Sequence, residues 1–158
     1  MSSDILLQIK GITGESQDVS LEGAIEVIHW ELCIEQQSSM LSGSGGGAGK
    51  ASVSDLTFRH ELDRASPNLA VYAAQGKRIS EAKLIMRKSG GLPLEYYRIT
   101  LYDVLVTKVW PSVDGASSIE TVSLSFARMK QEYVLQSKRG ASAGTITGII
   151  DVKQNRAA

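Results

Sequence analysis

The chain has 158 residues, 42% of them apolar, which suffices for one domain over 1–158 whose core needs neither disulfides nor metals. Seventeen basic residues balance seventeen acidic ones, which removes the long-range field that nucleic acid or an anionic membrane would answer to. That balance leaves protein partners as the expectation, and near-zero net charge eases self-association.

The opening MSSDILLQIK has no basic leader and only a three-residue apolar run, short of the roughly 7–15 residues of a signal-peptide core. The longest apolar run, residues 69–74, is far below the roughly 20 needed to span a bilayer as a helix. A soluble protein without an export signal is expected. Ile5, Leu7 and Ile9 alternate with Leu6, Gln8 and Lys10, which predicts a first strand over 4–10. After the turn-rich GITGESQD, residues 24–34 predict a second strand, with Ile28, Trp30 and Leu32 on the core face and His29, Glu31 and Cys33 opposite. Cys33 is the only cysteine, so no internal disulfide forms, and its apolar surroundings predict a buried, unreactive thiol.

Residues 43–50, GSGGGAGK, approach a phosphate-binding loop without reaching one. G-x-x-x-x-G-K-[ST] needs a glycine where Ser44 stands and a hydroxyl where Ala51 stands. A strand-like alternation follows in place of a helix, so a projecting loop is the better reading. That strand, over 51–63, places Ser54, Leu56, Phe58, His60 and Leu62 on one face and Asp55, Thr57, Arg59, Glu61 and Asp63 on the other. Ser66-Pro67 opens a short helix, the serine as cap and the proline at the first turn, and Gly76 ends it. Residues 80–88 and 94–110 alternate across Ser89-Gly90-Gly91 and predict an antiparallel hairpin. The polar stretch 111–118 breaks the pattern. Val122, Leu124 and Phe126 then face one way in a further strand, and Ile146, Ile150 and Val152 mark a last one near 145–153. Strands punctuated by turns, with one helix, predict an all-β fold: a small β-barrel of antiparallel sheets.

No catalytic residues, metal ligands or cofactor site emerge. The chain lacks G-x-S-x-G, HExxH and EF-hand patterns, and His29 and His60 stand far apart without zinc spacing. Lys83, Arg87 and Lys88 read as a solvated strand edge and not as nucleic-acid contacts. Tyr96, Tyr97, Tyr102, Trp30 and Trp110 read as core and interface material. The expectation is a protein that is not an enzyme.

The order of segments carries a resemblance. KGITGES (10–16), IEVIHW (25–30), GGGAGK (45–50) leading to SVSDLTF (52–58), ASPNL (65–69), KSGGLPLEYYRITLYDVLV (88–106), VSLSFA (122–127) and DVKQN (151–155) run end to end. Together the chain closely resembles the haemolysin-coregulated protein (Hcp) family, the tube component of bacterial type VI secretion systems. It departs from the family pattern at Glu31 and Cys33, beside Trp30, and at Ile149-Ile150. The resemblance implies a β-barrel subunit that closes into hexameric rings. The rings stack into a hollow tube, housed in a contractile sheath and capped by a spike. It further implies synthesis in the cytoplasm, secretion without a signal peptide, effector proteins in the lumen, and no cofactor, nucleic acid or membrane insertion. On this basis His29 and Glu31 are expected to face the lumen, and Ser42, Gly43, Ser44, Gly45, Gly46, Gly47, Ala48, Gly49 and Lys50 to supply ring-to-ring contact. The alternatives are a phage-type tail-tube protein and a monomeric β-barrel binding module.

Overall fold

The computed structural model describes residues 3–37, 51–88, 94–137, 142–152 and 156–157. Its frame is antiparallel β-sheet with one helix, as the alternation predicts. In chain order the strands are β1 (Ser3–Ile9), β2 (Ile25–Glu26), β3 (His29–Glu31), β4 (Ile34–Gln36), β5 (Ala51–Val53), β6 (Leu56–Glu61), β7 (Arg78–Lys88), β8 (Leu94–Val113), β9 (Ser118–Gln136), β10 (Ser142–Asp151) and β11 (Arg156–Ala157), with α1 (Ser66–Gln75) between β6 and β7.

The main sheet runs β11-β10-β9-β8-β7-β1-β2, and β6 joins β9 while β3 joins β6. Val27 N–H donates to the Ile5 carbonyl at 2.9 Å and Ile28 N–H to the Arg59 carbonyl at 2.8 Å. The short segment 25–31 therefore bridges the two ends of the sheet, which curls around one core. Leu7, Ile25, Phe58, Leu84, Ile99 and Leu124, each at most 1% exposed, fill that core. Full burial of each such side chain contributes about 1.5–3 kcal/mol.

The inward set shifts by one residue at the same level in three neighbouring strands. Ile79 gives way to Ala82 and Leu84, Leu101 to Val104, and Phe126 to Met129, all of them buried. The pairings Ile79↔Val104↔Phe126 and Glu81↔Tyr102↔Arg128 keep step on either side. Ser80, Asp103 and Ala127 thus form the row along which the sheet turns a corner, and Asp103 takes a positive φ of 54° there.

Residues 12–24 fold back over the outer face, where Leu21 and Ala24 bury Leu6 and Ile85 in a second small cluster. Gly14 allows this: its N–H reaches the Gly23 carbonyl at 2.6 Å, and a Cβ on it would lie 2.6 Å from the Ala24 oxygen. Helix α1 ends at Gly76, in the left-handed conformation expected, and drives Leu69 into the main core. Its start differs from expectation. Ala65 is the cap residue, and the Ser66 hydroxyl instead accepts the Asp63 N–H at 3.1 Å.

The stretch 111–118 is not a break. β8 continues through Pro111, in register with Glu120, and only Asp114–Ser117 turn. β7 pairs with β8 only as far as Leu105, so Pro111 lies where β8 is an edge strand and a missing N–H is tolerated.

Candidate functional site: an uncovered sheet edge

His29 and Glu31 lie on β3, opposite Arg59 and Thr57 of β6. Their side chains are 56% and 72% exposed and meet at 3.7 Å. Trp30 and Leu32 pack toward the core as the alternation requires, whereas Ile28 is 54% exposed. The reason is the change of partner at this point: passing from β1 to β6, the chain bends at Ile28, and Val27 takes the inward position.

Beyond β3, β4 and β5 pair as a separate ribbon, Ile34 opposite Val53 and Gln36 opposite Ala51, with β4 exposed and Val53 of β5 half-buried against the core. Ser54, expected on a core face, is exposed and closes the ribbon's base. Its N–H donates to the Cys33 carbonyl at 2.9 Å, and its hydroxyl accepts the Cys33 N–H at 2.8 Å. The ribbon leaves the barrel before Cys33, so this thiol is exposed, contrary to expectation. Its hydrogen bond to Glu35 at 3.5 Å raises its pKa. The ribbon leads into the loop of Ser42 to Lys50, which lies outside the described residues. Leu62, also expected inside, is 38% exposed because β6 has ended at Glu61.

On the other flank, β10 pairs with β9 from Ser142 to Asp151, and β11 covers only Ile150 and Asp151. Among the described residues, 142–149 therefore present a free edge of serine, glycine, threonine, alanine and isoleucine, without the charges or prolines that usually blunt one. An apolar stripe leads to it from the core. Trp30 and Tyr97 have ring centres 6.5 Å apart, Tyr97 stands opposite Tyr133, and Tyr133 opposite Ile146. Exposure rises along the row to 47% at Tyr133 and 60% at Ile146. Ile146 was read from the sequence as a partner of Ile150 and Val152; those two pack on the core and Ile146 does not.

Among the described residues, two ionic clusters centred on a buried side chain fasten the frame. Arg87, read above as part of a solvated edge, is 5% exposed. It donates to both carboxylate oxygens of Asp18, at 2.7 and 3.1 Å, and to Asp4 at 3.3 Å. The Arg87 guanidinium, aided by Ser20, holds the Asp18 carboxyl well below the usual carboxylate range. His60, fully buried, places Nε2 2.8 Å from Glu120 and Nδ1 3.7 Å from Asp63. Burial opposes its charge, yet the two carboxylates prevail and raise its pKa.

The family model described as "Type VI secretion system effector, Hcp" matches residues 6–133. This chain belongs to the Hcp family. Protein hcp1 of Pseudomonas aeruginosa is 39% identical over 147 residues, 91% of each chain. The crystal structure of Hcp1 from Salmonella typhimurium is 46% identical, covers 100% of both chains and superposes with a TM-score of 0.83. That of a type VI secretion system effector from Yersinia pestis is 34% identical over 94% of this chain and 100% of the other, with a TM-score of 0.77. Against this Hcp frame the quoted segments acquire physical roles. KGITGES holds the close approach at Gly14, and ASPNL the entrance of α1 with Ala65 and Leu69 buried. EYYRITLYDVLV carries both the stripe and the corner at Asp103. Among the described residues no group of three or more histidines, cysteines or carboxylates is placed to hold a metal ion, and no helix is long and apolar enough to cross a membrane.

Proposed function

We propose that this protein is the tube subunit of a type VI secretion system. Six copies close into a ring and rings stack into a hollow tube. Sheath contraction expels the tube, under its spike, from the cell in which it was made. Its work is mechanical and requires no reaction. His29 and Glu31 face the lumen, where effector proteins travel, and the loop of residues 42–50 bridges successive rings.

Membership of the Hcp family supports the assignment to secretion. The observation that carries the ring is the apolar stripe from Trp30 to Ile146, which leaves the core and ends uncovered at a free strand edge. Unpaired backbone groups beside exposed apolar side chains form a template for another chain. A head-to-tail contact of one such patch with a different surface of the next copy generates a ring when the rotation closes.

Sedimentation tests this reading. The parent protein and Glu31→Gln are expected at about six times the 17.0 kDa subunit mass, and Ile146→Lys as single subunits with unchanged circular dichroism. A parent that remains a single subunit at high concentration ends the proposal. A Glu31→Gln protein that loses the hexamer removes Glu31 from the lumen.

A further inference from the structure

The buried histidine cluster has a consequence of its own. His60 sits near the end of β6 and stands directly opposite Glu120 of β9. Glu120 is 2% exposed, and the Asp63 side chain is 11% exposed. Asp63 also organises the approach to α1. Its Oδ1 accepts the Ala65 N–H at 2.8 Å and its carbonyl accepts the Ser66 N–H at 3.0 Å. Glu120 lies at the turn end of the long β8–β9 hairpin, where Leu62 N–H donates to the Ser118 carbonyl at 3.1 Å. Two carboxylates thus converge on one imidazole, Glu120 at hydrogen-bond distance from Nε2 and Asp63 at ion-pair distance from a buried Nδ1 that has no hydrogen-bond partner. Across the sheet Phe58 faces the ring with centres 5.5 Å apart, Ile28 lies on the β3 side, and Pro111 is paired with Glu120; the charged groups beside Asp63 are Arg64 and Glu15, whose Oε1 accepts the Arg64 N–H at 3.0 Å.

An imidazole offers N–H groups on both nitrogens only when it is charged. A neutral ring that keeps its proton on Nε2 retains Glu120 but turns a bare Nδ1 lone pair toward the Asp63 carboxylate. We propose that His60, Glu120 and Asp63 form a protonation-dependent clamp. It fastens the entrance of α1 to the turn end of the β8–β9 hairpin while the imidazole is charged, and slackens on the Asp63 side when the proton leaves. The raised folded-state pKa fixes the direction. The clamp's contribution is complete below the unfolded value of 6.5 and is lost as pH rises through the folded one.

Imidazole nitrogen shifts followed by NMR, in the assembled protein and in urea, test the titration. Amide exchange corrected for intrinsic rates tests the consequence. The expected result is a His60 midpoint higher folded than unfolded. Protection at Ala65 and Ser66 should fall between pH 6 and 9 as the imidazole loses its proton. Asp63→Asn, whose amide can donate to a bare Nδ1 and whose oxygen still accepts the Ala65 N–H, should abolish that fall. A folded midpoint at or below the unfolded one overturns the clamp, as does an Asp63→Asn protein whose protection falls as steeply as the parent's.

Discussion

Arg87 lies between Met86 and Lys88 in a run that reads as a strand with cations, and nothing local marks it as buried. Asp18, the residue that buries it, lies in the 12–24 fold-back, where its Oδ1 also receives the N–H groups of Ser20 and Leu21 at 3.1 and 3.2 Å. The ion pair therefore pins that segment to the sheet. Because the folded Asp18 pKa is depressed, its contribution is present above the unfolded value of 3.8 and is lost as pH falls through the folded one. Asp18→Asn should melt below the parent at pH 7, and the gap should narrow steadily below about pH 3.8. A gap of constant width from pH 7 to pH 2 contradicts this account. Cys33 teaches the same lesson with opposite sign. Its neighbours Leu32 and Ile34 look like core, but only Leu32 packs there.

At the scale of elements, β1, the β7–β8 hairpin, α1 with Gly76, and the inward face of Val122, Leu124 and Phe126 were legible, because each is written in local periodicity or local caps. The corner at Ser80, Asp103 and Ala127 was not. It requires three strands in register, and only the left-handed backbone of Asp103 betrays it. Asp103 is exposed, so substitutions there report on the backbone. Asp103→Val should cost about 1–2 kcal/mol, the penalty for a branched side chain in that region. Asp103→Gly should stay within about 1 kcal/mol of the parent, since relief of strain offsets the greater freedom of the unfolded chain. Urea denaturation measures both, and equal losses would place the strain elsewhere. Pro111 was misjudged for a related reason. A proline argues against a central strand, and only the pairing shows that β8 has by then become an edge.

For the whole molecule, the proposed tube needs contact within a ring and contact between rings. The stripe ending at Ile146 is suited to the first, and the loop carried by the β4–β5 ribbon is assigned to the second. Removing residues 42–50 should leave rings of unchanged mass while electron micrographs show few or no long tubes. Tubes as long as the parent's would free the loop of that role. Taken alone, the sequence determined the all-β class, most strand positions, the helix and its stop, and the family, because alternation, turn residues and segment order are properties of a linear chain. The tertiary structure decided which alternating faces meet a core, where Ile28, Leu62 and Ile146 escape burial, and which charges are enclosed. Those outcomes depend on what lies across the sheet, and residues as distant as Asp18 and Arg87 or His60 and Glu120 become neighbours only when the sheet curls.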